Sequence, residues 1–404
     1  MKILWIVPKF PLGAPDGARY ATCALIRHLV PLGAAIDLLC LLPEGELADA
    51  SVAMKNLGVL SCTLLRRSGS RYWPLPSPRA PITFKSFTSS GLRRAFQREL
   101  TRWVETLPPV MSPWLVFVGL HSFGALSDET RSALVKRGCK MAYRAHNFET
   151  SFWEQCAAKS PTPWFRWFFL YQATLVRTFE RRITQSVDVT APVSDEDKRR
   201  FEILVPGARI FTVPIGMDFP DENKIPPIPD SAKFELLFIG RLDWLPNRNG
   251  LLWFLENVWP ALTKARPDTA LTIAGTGDGR WLEKFQKQPG IRCLGRVDDI
   301  APLYASSALA IAPLFQGSGT RVKIIEAACY GRPVMSTALG AEGSGLVPGQ
   351  SYYQAESPTA WIDRLSKVGL SECRQTGLAA YRKSRDRFDG RAIAKQFVQE
   401  LAGV

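Results

Sequence analysis

CLGRVDDIAPLYASSALAIAPLFQGSGTRVKIIEAACYGRPVMST, residues 293–337, is the stretch on which the fold turns. It holds the end of one apolar strand, Ile291–Leu294, then two complete strands at Leu309–Ala312 and Pro333–Ser336. Between the last two lies a glycine-rich loop, Gln316-Gly317-Ser318-Gly319-Thr320, and a helix over Arg321–Tyr330 that Gly331 and Pro333 stop. Near-continuous apolar strands alternating with helices indicate a parallel sheet covered on both faces.

The same alternation runs outward in both directions. Further strands are expected at Phe234–Ile239 and Ala270–Ala274, and a helix at Gly250–Ala265 with apolar positions Leu251, Leu252, Phe254, Leu255, Val258 and Leu262. The first half reads as strands at Lys2–Val7, Ile36–Leu42, Val59–Leu65, Trp114–Leu120, Lys140–Ala145, Asp188–Pro192 and Ile210–Pro214. The segment 214–233 is rich in Pro and Asp and lacks either period, which marks a domain boundary. The expected organisation is α/β with two Rossmann-like domains: residues 1–215, residues 216–384, and a C-terminal helix over 385–404 that packs back on the first domain.

Open α/β sheets bind ligands at the carboxyl ends of their strands. The 316–320 loop sits there. Its glycines admit close approach to backbone, and the helix start offers unpaired N–H groups and partial positive charge, which suits phosphate. Arg321 and Lys323 add cations. A plain glycine-rich turn with a solvated basic helix start explains the loop equally well. On the helix, Val322, Ile325 and Cys329 are expected to face the core, and Lys323, Glu326 and Tyr330 the loop side. Glu326 there could accept both hydroxyls of a ribose, or simply pair with Lys323 at i,i+3. Gly240-Arg241, Gly275-Thr276-Gly277 and Gly295-Arg296-Val297-Asp298 each follow a strand, and together these loops describe an anion-binding cleft.

As an ordered set, IGRLDWLPNRNGLLWF (239–254), LTIAGTGDGR (271–280), the 293–337 stretch and GAEG (340–343) resemble the retaining GT-B glycosyltransferases of glycosyltransferase family 4. The resemblance is to the branch with a GxGxR-x-K segment and covers nearly all of the second domain. The first half resembles the family more loosely, through MKILWIVPKFPLGAPDGARY (1–20), AHNFE (145–149) and VSDEDKRRF (193–201). The resemblance implies a GT-B fold with parallel sheets facing across a cleft, and a nucleoside diphosphate sugar as co-substrate with no other cofactor. It implies that Glu326 binds the donor ribose, that Arg241 contacts the diphosphate and that the Val297 backbone meets the base. Gly17 matches the glycine loop near the donor phosphates and acceptor, and His146 the histidine that approaches the transferred sugar. Gly275, Gly317, Ser318, Gly319, Thr320, Arg321 and Lys323 complete the expected donor site. Two departures stand out: Ser318 replaces the first Glu of the family's Glu-x7-Glu motif, and the usual lysine after Gly-Arg is missing, Arg248 being the nearest cation.

Composition narrows the alternatives. Apolar residues make up 46% of the 404, which suits buried cores rather than disorder. No apolar run reaches the ~18 residues of a membrane span, and Met1–Lys9 reads as a strand rather than a signal peptide, so a cytoplasmic location is expected. Eight scattered cysteines without a C-x-x-C pair and three histidines argue against a disulfide framework or a zinc centre. The D-x-D in Ser194-Asp195-Glu196-Asp197 is explained by Ser194 as N-cap with an acidic first turn, so no metal site is expected. Gly275-Thr276-Gly277-Asp278-Gly279 has the wrong spacing for a dinucleotide fingerprint, and His121 reads as a structural histidine.

Charge is uneven: residues 1–215 carry 28 Lys/Arg and 17 Asp/Glu, residues 216–404 carry 23 and 20. Nucleic acid, an anionic membrane and an anionic substrate would each fit, as would a merely solvated basic surface. The segment Pro163–Arg182, PWFRWFFLYQATLVRTFERR, reads as a basic amphipathic helix on an anionic membrane or as a helix with one face buried. Base stacking ranks low because no nucleic-acid motif accompanies it. The expected function is glycosyl transfer with retention and without a metal, to a glycan or lipid-linked acceptor, in cell-envelope or exopolysaccharide synthesis. The protein would stay in the cytoplasm or on the cytoplasmic face of the membrane. The rivals are a nucleotide-sugar epimerase on the same architecture and a non-catalytic nucleotide-sugar-binding protein.

Overall fold

The computed structural model describes residues 1–12, 17–67, 81–82, 87–230, 233–316 and 321–404. Contacts divide the chain into two compact units, Met1–Pro214 with Arg391–Val404, and Ile215–Gly390.

The first unit is built on a six-stranded parallel sheet ordered β3-β2-β1-β4-β5-β6. Its strands are β1 (Lys2–Val7), β2 (Ala35–Leu42), β3 (Ser61–Arg66), β4 (Trp114–Val118), β5 (Lys140–Ala145) and β6 (Val189–Pro192). Alternate side chains of β1 enter opposite cores: Ile3, Trp5 and Val7 one, Leu4 and Ile6 the other. Burial on both faces is why such strands read as unbroken apolar runs. Phe397 of the C-terminal helix Gly390–Ala402 packs against Trp5, ring centroids 6.0 Å apart.

The second unit carries β7 (Phe234–Ile239), β8 (Thr269–Ala274), β9 (Ile291–Gly295), β10 (Leu309–Ala312), β11 (Val334–Ser336) and β12 (Tyr353–Gln354), ordered β12-β11-β10-β7-β8-β9. Both sheets are parallel throughout and reverse strand order at one place, between β1 and β4 in the first and between β7 and β10 in the second. Such switch points open a crevice at the carboxyl ends of the strands.

Several sequence expectations need correction. Ile210–Pro214 forms no strand; Ile210 makes one isolated bridge to Thr190. β4 stops at Val118, because the chain turns at once into the short helix Gly119–Phe123. The expected helix Gly250–Ala265 is two helices, Leu245–Asn257 and Trp259–Ala265, broken at Val258 just ahead of Pro260, which lacks the N–H an uninterrupted helix needs. The expected C-terminal helix from Arg385 is likewise divided, into Leu370–Phe388 and Gly390–Ala402, with Asp389 bridged to Met217. The two-residue β12 was not anticipated; it is too short to show a period.

Candidate active site

The helix Val322–Cys329 begins beyond the carboxyl end of β10, with Arg321 at its N-cap position. Its core face is wider than expected: Ile324, Ile325, Ala327, Ala328 and Cys329 are buried, whereas Val322 is only partly so. Small Ala side chains gave the sequence pattern little contrast there. Lys323 and Glu326 keep partial solvent access and meet polar partners from two other segments.

Lys323 Nζ donates to Asn247 Oδ1 at 2.6 Å and lies 4.5 Å from the centre of the Phe238 ring. Asn247 Nδ2 donates to the Arg241 carbonyl at 2.9 Å. Asn247 is therefore a strut between the end of β7 and the helix after β10. Gly240 makes the strut possible, since a Cβ there would sit 2.7 Å from Asn247 Nδ2 and 2.9 Å from Lys323 Nζ. Glu326 Oε2 accepts the Tyr304 hydroxyl at 3.1 Å, and the Tyr304 ring stacks on Tyr330 at 4.7 Å. Neither Asn247 nor Tyr304 stood out in the sequence. Their signal was confined to position: Asn247 in the first turn of the helix that follows the strand-terminal Gly-Arg, and Tyr304 in the short helix Ala301–Ser306 ahead of β10.

Enclosure reshapes the charges. Burial pulls the Lys323 ammonium down to about 7, assisted by the nearby charge of Arg321 and opposed by Glu326. Burial pushes the Glu326 carboxyl up to about 7, against the Tyr304 hydrogen bond and Lys323. Arg321 is buried, which lowers its pKa, while Glu342 favours its charge. Burial thus works against the charged form of each of Arg321, Lys323 and Glu326. Arg241 is more open. Its Nε and Nη2 donate to Asp243 at 2.6 and 2.9 Å, and these bonds hold the Asp243 carboxyl below its usual range. An exposed pair of this kind is worth at most ~1 kcal/mol, so a diphosphate could take the guanidinium from Asp243.

The remaining expected donor residues fall as follows. Gly275 lies where a Cβ would meet the Gly240 carbonyl oxygen at 1.7 Å, so close approach of the β7 and β8 ends alone requires glycine. Arg248 is exposed, with its guanidinium 5.9 Å from the Trp281 ring. Val297 is half-buried after β9. Gly317, Ser318, Gly319 and Thr320 lie outside the described residues.

In the first unit, Gly17 lies in the helix Gly17–Leu29 beyond β1. His146 follows β5; its Nε2 is shielded from solvent and has no hydrogen-bond partner among the described residues. Burial and the charge of Arg144 hold its imidazole neutral, pulling the pKa to about 3. Arg144 itself is buried and donates to the Ala191 and Pro214 carbonyls at 3.0 and 3.3 Å. His121 packs on Phe87 with centroids 5.5 Å apart, and burial takes its pKa to about 4. Ser194 caps the helix Asp195–Leu204 by accepting the Asp197 N–H at 3.1 Å; Asp195 accepts Thr212 Oγ1 at 2.6 Å and Asp197 pairs with Arg200 at 3.1 Å. All eight cysteines are free thiols.

Residues 233–368 match the Glycosyl transferases group 1 family model. The match takes in β7 to β12 and every partner of Lys323 and Glu326 named above. Over 269 residues the chain is 22% identical to an uncharacterized 44.6 kDa protein in the cps region of Klebsiella pneumoniae, covering 64% of this chain and 67% of that protein. It is 26% identical to Mycobacterium tuberculosis glycogen synthase over 189 residues, 45% of this chain and 42% of the synthase, so it spans less than half of that relative. Anabaena HepE, solved in complex with UDP and glucose, superposes over all of both chains with a TM-score of 0.66 at 14% identity. The fold is GT-B: two six-stranded parallel sheets of Rossmann order flanked by helices.

Proposed function

We propose that the chain is a glycosyltransferase that moves a sugar from a nucleoside diphosphate sugar to an acceptor hydroxyl with retention of anomeric configuration. The observation that carries this reading is the Asn247–Lys323 and Tyr304–Glu326 array at the β7/β10 switch point, inside the segment that matches glycosyl transferases group 1. Arg241, Arg321 and Lys323, with the amides of Gly317–Thr320, would hold the diphosphate as preorganised electrostatics. Glu326 would take the ribose hydroxyls, the Val297 backbone the base, and Gly17 and His146 the sugar and acceptor side. A neutral His146 can donate or accept a hydrogen bond to a sugar hydroxyl without competing for the departing charge. In the reaction the bond from the anomeric carbon to the phosphate oxygen breaks on one face. The acceptor oxygen bonds to the same face, and the acceptor's proton passes to the leaving phosphate.

The acceptor would be a glycan or lipid-linked glycan of the cell envelope or an exopolysaccharide, met at the cytoplasmic face of the membrane. The likeness to a protein of a cps region supports that setting. UDP is the first donor fragment to try, given the UDP in the HepE complex. The test is a thermal-shift series with nucleoside diphosphates, followed by release of the free diphosphate from its sugar with and without acceptor. Acceptor-dependent release is expected. A diphosphate-induced shift with no release under any acceptor would make the chain a nucleotide-sugar-binding protein. Interconversion of the donor sugar without release would make it an epimerase. No shift with any nucleoside diphosphate would overturn the donor site.

A further inference from the structure

The helices Glu149–Lys159 and Pro163–Ser186 form an α-hairpin between β5 and β6. Glu180 fixes its register. That buried carboxylate accepts the Glu149 N–H at 2.7 Å, the Thr150 N–H at 3.3 Å and the Thr150 hydroxyl at 2.5 Å, and so closes the start of the first helix. The second helix has 24 residues, ~36 Å at 1.5 Å each, whereas β6 has four, ~13 Å. The surplus lies on the far side of Glu180, alongside the first helix. Since that helix leaves from the carboxyl end of β5, the overhang projects beyond the sheet edge that carries His146.

The projecting end is bare. The buried residues of the second helix are Gln172, Ala173, Val176, Glu180, Ile183 and Thr184, all past its first two turns. Residues 161–167 are exposed whatever their helical phase, so this is an exposed tip and not an exposed face. It displays Trp164 at 74%, Phe165 at 56%, Trp167 at 59% and Leu170 at 48% exposure, with Phe152 at 49% on the other arm. The rings are stacked on one another, Trp164 on Trp167 at 5.8 Å and Trp167 on Tyr171 at 5.7 Å.

We propose that this tip inserts into the headgroup layer of an anionic membrane and thereby presents the carboxyl edge of the first sheet to a lipid-linked acceptor. It adds an anchoring element to the transfer reaction proposed above. Two features choose lipid over a protein partner. From Gln155 to Val176 the chain holds Lys159 and Arg166 and no acidic residue, while Arg177 is paired with Glu154, so the tip is complementary to anionic headgroups. Arg166 stands within the aromatic set. A dry protein interface would have to bury that charge, whereas at a bilayer its guanidinium can reach lipid phosphate while Trp164 and Trp167 occupy the interfacial belt.

The test is co-sedimentation of the full chain with vesicles of phosphatidylcholine alone and of phosphatidylcholine containing about a third phosphatidylglycerol, at low and high salt. Binding should require the anionic lipid, fall with salt, and weaken roughly tenfold or more in the Trp164→Ser, Trp167→Ser double variant and in Arg166→Glu. Both variants alter exposed residues, and an unchanged thermal shift with UDP would show that each is folded and that the donor site is untouched. Wild-type binding that survives the double substitution would overturn the proposal. So would absence of binding at low salt, or a concentration-dependent dimer that the double variant dissociates, which would make the tip a self-association surface.

Discussion

Lys323 Nζ donates to Asn247 Oδ1 at 2.6 Å, which ties the helix that follows β10 to the one that follows β7. Through Asn247 Nδ2 and the Arg241 carbonyl the tie extends to the exit of β7, so three segments of the candidate donor site are fixed by one amide side chain.

Asn247→Ala should therefore cost stability as well as binding. It strands an enclosed ammonium and a carbonyl at once, worth ~1–3 kcal/mol, and UDP affinity should fall about tenfold or more as Lys323 loses its position. Lys323→Met removes the charge with its burial cost, and should leave stability equal or higher while still weakening UDP. Urea denaturation and calorimetry on the two variants check this. Full UDP affinity in both would remove the strut from the donor site.

Glu326→Gln is the informative change at the proposed ribose contact. The amide oxygen can still accept the Tyr304 hydroxyl, so the fold should persist. What is lost is the charged acceptor. Hydrogen bonds to charged groups are worth ~1.5–3 kcal/mol, and affinity for the donor should drop roughly 10- to 100-fold, with a ribose-modified analogue affected less. Wild-type donor kinetics in a folded Glu326→Gln protein would remove this contact.

Glu326 and Lys323 should also give the fold a pH signature. Glu326 is raised to about 7 from its usual 4.5, so the folded chain holds an extra proton between those values and stability falls as pH rises through that window. Lys323 is lowered to about 7 from 10.5, so the unfolded chain holds the extra proton above pH 7 and stability recovers as pH rises toward 10.5. Together they put a minimum near neutrality. A diphosphate favours charged Lys323 and a ribose favours ionised Glu326. UDP binding should accordingly take up protons at pH 8 and release them at pH 6, read by calorimetry in buffers of different ionisation enthalpy. Proton exchange near zero at both values would show that neither group meets the ligand.

Activity is expected to continue in excess chelator, with the cations of the second unit supplying the charge stabilisation. Turnover assayed in EDTA, then with manganese or magnesium restored, decides this. Complete loss and full recovery would redirect attention to Asp195 and Asp197, whose carboxylates would then have to leave Thr212 and Arg200.

Sequence alone determined most of the strands and the alternation that makes both sheets parallel. Strands such as LLFI in β7 and LAIA in β10 are apolar at consecutive positions because both faces are covered, and that pattern is local. It also placed Arg241, Lys323 and Glu326 after strands, since strand ends and helix starts are marked by glycine and proline within a few residues. Only the tertiary structure decided what these residues do together. Lys323 and Asn247 are 76 positions apart, and Tyr304 and Glu326 22 apart, so no local period links them. Their shifted pKa values arise from burial that depends on the whole packed unit. The aromatic run 164–171 has the same composition whether it lies against a core or projects from one. The exposure of residues 164–167 within it was settled by the excess length of the second hairpin helix and by the buried carboxylate of Glu180, which fixes where the overhang begins.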